Sequence, residues 1–266
     1  MTHVVDHLAQ ILERKRVEVS RRARRRALYA ALAEKRSPLR PRWEQALRRG
    51  PSEPLRVIAE IKLRSPSAGQ IRPRAIGEVA RIAEDYEAAG AAAVSVLCDG
   101  PGFGGSPLDV ARVARRVDLP VIFKEFVLDV VQLDAARAAG AELVLLLVRA
   151  LSNQDLVRLI DEARARGLEP VVEAADSDEL ERALKTSAVI VGVNARDLRT
   201  FQVDSTQAIR LVERIPRDCI AVLMSGVRSR EDFARAAATR ADALLIGEGL
   251  MRAPDPGAAL VALTRP

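Results

Sequence analysis

The chain has 266 residues and only two histidines, His3 and His7, both within its first seven positions. A Ser-His-Asp triad or a His-ligated metal in the body of the chain is therefore excluded. His3 and His7 stand four residues apart with no third ligand nearby, and they read as a solvated helix face. The two cysteines, Cys98 and Cys219, form neither a CxxC motif nor a disulfide framework, which suits a reducing cytoplasm. No apolar run approaches the ~18 residues of a membrane-spanning helix. The N-terminus lacks the basic start, apolar block and small-residue cleavage site of a secretory signal. No GxGxxG follows an early strand, which counts against a doubly wound dinucleotide-binding sheet. Aromatic residues number only eight.

Lysine is scarcer still. Of 42 basic residues only five are lysine: Lys15, Lys35, Lys62, Lys124 and Lys185. Arginine fills the ordinary surface positions. A retained lysine points to a need for an ammonium, a compact donor whose pKa responds to burial.

At 48% hydrophobic and 29% charged, the composition can bury a sizeable core and is not that of a disordered chain. At ~150 residues per domain, this length fits two small domains or one large barrel. The net charge is +6 with a pI near 9.9. Residues 1–50 carry 14 Lys+Arg against 5 Asp+Glu, whereas the rest carry 28 against 31. The basic excess thus belongs to an N-terminal arm. Only Tyr29 and Trp43 in that arm could stack on bases, so nucleic acid is not expected as a partner, nor is a membrane.

The arm reads as helical. Val4, Leu8, Ile11 and Leu12 form one apolar stripe, five arginines fall within 21–26, and loop signals follow at Ser37-Pro38 and Gly50-Pro51. After Pro54, eight short apolar runs alternate with amphipathic stretches. The runs are 56–62, 93–98, 120–124, 143–148, 169–173, 188–193, 219–224 and 242–246. Their length and aliphatic content suit parallel strands buried on both faces. Between them, Ile76, Val79, Ile82 and Ala83, then Val131, Leu133 and Ala136, then Leu156, Leu159, Ile160 and Ala163 recur at helical spacing. Gly90, Gly140 and Gly167 mark helix ends. The pattern predicts an α/β fold, a (β/α)8 TIM barrel over 51–266 with an N-terminal helical extension over 1–50.

Chemistry in such a barrel lies at the C-terminal strand ends. Glu60 and Lys62 close the first run on one face. Lys124 and Glu173 close the third and fifth, and Asn194 follows the sixth, with Arg196 just beyond. Paired ammonium and carboxylate groups in a partly dry site keep each other ionised and exchange protons with a substrate. A salt-bridge network that merely closes the barrel is the alternative. Ser225-Gly226 and Gly247-Glu248-Gly249 follow the last two runs, where backbone N–H groups and a helix start suit a phosphate. There the Glu248 side chain is expected to point away. Phe103 and Phe126 suit an apolar wall for a ring-bearing substrate, with core packing as the alternative.

These residues resemble the indole-3-glycerol-phosphate synthase family of tryptophan biosynthesis. The likeness spans roughly 54–262 and includes a helical extension of similar length. It rests on Ile58-Ala59-Glu60-Ile61-Lys62 with Ser65-Pro66-Ser67, on Phe103-Gly104-Gly105-Ser106 and on Phe123-Lys124-Glu125-Phe126. Val172-Glu173, Val191-Gly192-Val193-Asn194-Ala195-Arg196-Asp197-Leu198 and Gly247-Glu248-Gly249-Leu250-Met251-Arg252 extend it.

The resemblance implies a decarboxylating lyase without cofactor or metal. It would close 1-(2-carboxyphenylamino)-1-deoxyribulose 5-phosphate to indole-3-glycerol phosphate. Lys124 would polarise and protonate the carbonyl oxygen, Glu173 stabilise the iminium or move a proton, Lys62 and Glu60 carry the dehydration, and Asn194 orient groups. Arg196, Ser65, Phe103, Phe126, Met224 and Ser225 would contact substrate. Ser65, Gly226, Gly247 and the N–H of Glu248 would hold the phosphate. The family usually has Ser-Glu where this chain has Leu223-Met224, and often a basic residue at Leu63. Two other readings stay open: a related barrel acting on a modified anthranilate, and a sugar-phosphate-binding barrel with little catalysis. The expected partner is an anionic sugar phosphate, and the expected protein a cytoplasmic monomer or weak homodimer.

Overall fold

The computed structural model describes residues 6–36, 42–200 and 202–265. The helical elements of the N-terminal arm are α1 (His7–Ala23), α2 (Arg26–Glu34) and α3 (Trp43–Leu47). After β1 (Arg56–Ile61) comes a small antiparallel hairpin of β2 (Arg64–Ser65) and β3 (Gly69–Gln70), then α4 (Glu78–Ala88) and β4 (Ala93–Leu97). Next are α5 (Gly100–Phe103), α6 (Pro107–Val113), β5 (Val121–Lys124), α7 (Val130–Ala139) and β6 (Leu143–Leu147). They are followed by α8 (Asn153–Ala165), β7 (Glu169–Ala174), α9 (Ser177–Leu184), β8 (Ile190–Asn194), α10 (Ser205–Val212) and β9 (Ile220–Met224). The chain ends with α11 (Arg230–Ala237), β10 (Ala243–Ile246), α12 (Glu248–Arg252) and α13 (Pro256–Thr264).

The eight longer strands close a parallel barrel in the order β1-β10-β9-β8-β7-β6-β5-β4. This is the expected (β/α)8 architecture. Alternation divides each strand between two cores. Ile58, Ile122, Leu145, Val171, Ile190 and Val222 fill the barrel interior. Val57, Val94, Phe123, Val144, Val172 and Val191 meet the surrounding helices. Full burial of each such aliphatic side chain contributes about 1.5–3 kcal/mol. Gly90 and Gly140 both have φ of 90°, a left-handed conformation that lets the helix stop and the chain turn into the next strand.

The arm embraces the barrel from mouth to base. Leu8, Ile11 and Leu12 of α1 pack on the interior cluster beside Phe103 and Phe126, so α1 lies over the mouth. Its start is tied by the His7 N–H to the Arg199 carbonyl at 3.3 Å. Helix α2 packs along α7. Leu47 of α3, fully buried, plugs the base against the same interior cluster. The Arg42 and Arg49 N–H groups donate there to Glu142 and Asp242 at 3.1 and 3.2 Å.

One sequence expectation changes, and one feature is new. Ile76 is fully exposed and precedes α4, because Gly77 in the left-handed region (φ 77°) starts the helix only at Glu78. The β2–β3 hairpin, too short to carry a periodicity, was not anticipated. His3, Val4 and the Ser37-Pro38 turn lie outside the described residues.

Candidate active site

The charged strand-end residues meet in one chain of contacts across the mouth. Glu60 Oε1 accepts from Lys62 Nζ at 3.1 Å, and its Oε2 lies 3.7 Å from Lys124 Nζ and 3.4 Å from Ser95 Oγ. Lys124 Nζ donates to Glu173 Oε2 at 3.3 Å. Glu173 Oε1 accepts from Asn194 Nδ2 at 2.9 Å, and Asn194 Oδ1 accepts the Arg196 N–H at 2.9 Å. Strand register explains the gathering: Glu60 stands opposite Ser95, Lys124 opposite Leu97 and Glu173 opposite Gly192, each near the C-terminal end of its strand.

Glu60, Glu173 and Asn194 are all buried. Charges this dry persist only when paired. Burial pushes the Glu60 carboxyl up, but the ammonium groups of Lys62 and Lys124 outweigh it and hold it below its usual range. Burial likewise pulls Lys124 down, but Glu173 and Glu60 outweigh it, so its pKa is raised. Lys124 is thus a protonated acid at neutral pH, held between two carboxylates.

Two adjoining lobes open from this cluster. The inner lobe, about 70 Å³, is walled by Phe103, Phe126, Leu97, Leu145 and Leu147. The two rings lie 6.0 Å apart, tilted by 39°. The outer lobe, about 420 Å³, is lined by Arg196, Ser225, Gly226, Gly247, Gly249 and Arg252, among others. Ser65 lines the inner lobe. Ser225 (φ 67°) and Gly226 (φ 87°) are both left-handed. For a serine that conformation is strained. Gly247 has a steric role as well: a Cβ there would lie 2.6 Å from Glu60 Oε1. Among the described residues no group of three or more His, Cys, Asp or Glu could hold a metal ion.

Two site expectations need correction. Met224 does not reach the wall of either lobe. It is 1% exposed and lies across Gly192, where a Cβ would meet its sulfur at 2.8 Å. Alternation shows that it faces inward but not how deep it sits. The Glu248 carboxylate does not point away from the mouth. It pairs with Arg196 at 3.4 Å and Arg252 at 3.1 Å and lines both lobes.

Some neighbours escaped the sequence reading. Lys15 of α1, 1% exposed, places its Nζ 2.9 Å from both Asp99 and Glu125 and 2.7 Å from Glu18. The scarcity of lysine was the available signal. Leu198 and Arg252, which the resemblance quotes without giving them a role, also line the lobes, as does Arg228, which carried no signal in a chain with 37 arginines.

A closed (β/α)8 barrel with two ammonium groups and two carboxylates across its C-terminal mouth is a scaffold for acid–base catalysis. The family model described as indole-3-glycerol phosphate synthase matches residues 8–263. The chain belongs to the indole-3-glycerol phosphate synthase family. It is 42% identical to indole-3-glycerol phosphate synthase 1 of Streptomyces coelicolor over 255 residues, covering 95% of this chain and 93% of that one. It is 43% identical to the indole-3-glycerol phosphate synthase of Leifsonia xyli, covering 96% and 97%. Among solved structures it resembles thiamine phosphate pyrophosphorylase from Pyrococcus furiosus, with a TM-score of 0.57 and 16% identity over 79% of this chain and 93% of that one. It resembles a phosphoribosylanthranilate isomerase from Thermotoga maritima equally well, at 15% identity over 79% and 96%. At those identities the likeness is one of fold.

Proposed function

We propose that the protein is an indole-3-glycerol-phosphate synthase, a decarboxylating lyase of tryptophan biosynthesis that acts in the cytoplasm. Its substrate would be 1-(2-carboxyphenylamino)-1-deoxyribulose 5-phosphate. The observation that carries the reading is Lys124, a protonated ammonium held between Glu60 and Glu173 in the mouth of a barrel of this family.

The ring carbon bearing the carboxylate attacks the ketone carbon. The carbonyl π electrons move to oxygen, which takes a proton from Lys124 and becomes a hydroxyl. The nitrogen becomes an iminium, and Glu173, oriented by Asn194, stabilises that charge at short range. Loss of CO2 returns the C–C bonding electrons and restores the aromatic ring. Lys62 and Glu60, in contact with each other, then carry the dehydration: one protonates the departing hydroxyl while the other removes the proton from the neighbouring carbon. Phe103 and Phe126 flank the anthranilate ring. The Ser225-Gly226 and Gly247-Glu248 backbone, with Ser65, holds the phosphate, and Arg196 supports the anionic substrate.

A second reading, a barrel selective for a ring-modified anthranilate, rests on the sequence departure alone, Leu223-Met224 where the family usually has Ser-Glu, because Met224 itself reaches neither lobe. A large gain of Met224→Glu on the ordinary substrate would support it. The primary test is turnover of that substrate, read as indole fluorescence. Lys124→Ala should lower kcat by ~10²–10⁴-fold while the protein stays folded. Full activity of that variant would remove Lys124 from its role.

A further inference from the structure

Arg149 follows β6 in the short 3-10 turn Val148–Ala150 and lines neither lobe. Its guanidinium, 11% exposed, holds three carboxylates. Nε donates to Glu179 Oε1 at 2.6 Å, Nη1 to Asp197 Oδ1 at 2.8 Å, and Nη2 to Asp176 Oδ2 at 3.3 Å. All three partners come from the segments that follow β7 and β8.

Each partner fixes a strand end. The second oxygen of Glu179 accepts the Ala175 N–H at 2.9 Å, two residues beyond Glu173. Asp176 accepts the Glu179 N–H at 2.9 Å and starts α9. Asp197 follows Arg196 directly. Its Oδ1 also accepts the Arg199 N–H at 2.8 Å, and its own N–H donates to the Gln202 carbonyl at 2.9 Å. Burial raises the Asp197 carboxyl, but the hydrogen bonds from Arg199 and the charge of Arg149 outweigh it and hold its pKa at about 2. One rigid fork of donors therefore bolts together the turns beyond Glu173 and Asn194, which bond to each other inside the barrel. A lysine, a point charge without that fork, cannot reproduce all three bonds.

We propose that Arg149 is a positioning residue for the reaction, setting the spacing between Glu173 and the Asn194–Arg196 turn from behind the site. This rests on the assignment of Glu173, Asn194 and Arg196 to the site. Groups held about 1 Å out of place lose roughly 100-fold in rate.

The test is steady-state kinetics on the carboxyphenylamino sugar phosphate, with melting temperatures measured alongside. Arg149→Met should stay folded at 25 °C and lose about 10- to 100-fold in kcat/KM, and Arg149→Lys should recover part of that loss. Glu179→Gln, acting on the Glu173 strand end, should fall mainly on kcat. Asp197→Asn, acting on the Arg196 turn, should fall mainly on KM. A merely structural residue would shift melting temperatures and leave both constants of the folded protein unchanged, and that result would overturn the proposal. If Arg149→Met does not fold, the other three variants decide, and unchanged constants in all of them overturn it. Glu173→Gln is the control. Full activity there removes the site assignment and this inference with it, whereas loss there with none in the Arg149 series removes the inference alone.

Discussion

Glu60 stands between two ammonium groups, and their balance with burial decides its charge. Its pKa is depressed, so its share of stability is present above the ordinary carboxylate range and is lost as pH falls through the depressed value. Lys124 is raised, so its share is present below the ordinary lysine value and is lost as pH rises through the raised one. The window with both groups charged therefore runs from below about pH 4 to above about pH 10. We predict that the single-turnover rate of ring closure at saturating substrate is flat between about pH 6 and 9. A Lys124→Ala-sensitive inflection near pH 7 would contradict the assigned protonation states. These residues were legible because a charge inside an otherwise aliphatic strand run is anomalous, whatever the fold. Arg149 was not legible: its carboxylates lie 27 to 48 residues away, and nothing in its own run distinguishes it from the other arginines.

Among elements, α1 is held over the mouth by its apolar stripe of Leu8, Ile11 and Leu12, by the His7 N–H and by one buried ammonium. Lys15 pairs with Asp99, which caps α5 through the Gly102 N–H, and with Glu125, the residue between Lys124 and Phe126. Burial already raises the Glu125 carboxyl despite Lys15. Removing the cation would leave two buried carboxylates facing each other. Lys15→Met should cost about 3 kcal/mol in denaturant unfolding at pH 7, by analogy with other broken buried pairs. Lys15→Met/Glu125→Gln should recover much of it, because one charge no longer needs a partner. A single variant within ~0.5 kcal/mol of the parent, the ordinary range for an exposed site, would show that the Lys15 ammonium adds nothing to the other contacts of α1. The strands were legible from length and aliphatic content, since each must be apolar on both faces. The β2–β3 hairpin was not, since two-residue strands carry no period, and Ile76 misled because an apolar residue at helical spacing need not lie within the helix.

For the whole molecule, the charge asymmetry of the sequence takes on a position. The arm's excess of nine positive charges accompanies a barrel with three more acids than bases. The arm runs across both ends of the barrel, which composition could not reveal, because its direction is set by Leu8, Ile11 and Leu12 at one end and Leu47 at the other. Part of its charge is already paired, as in Arg26 with Asp129 and Arg42 with Glu142. Arg14 and Arg21 of α1 are exposed and line a groove beside the mouth. Their field reaches about one Debye length, ~10 Å at 0.1 M salt, and favours an anionic substrate near the opening. Raising the ionic strength from about 10 to about 200 mM should therefore raise KM and leave kcat unchanged. Salt anions competing at the phosphate site would also raise KM, so the salt series alone does not isolate the arm. Arg14→Gln/Arg21→Gln does, because neither residue lines the two lobes. This variant should show a higher KM at low salt, a shallower salt slope and the parent's kcat. A slope identical to the parent's would confine the electrostatics of binding to the cations that line the two lobes and leave Arg14 and Arg21 no part in capture.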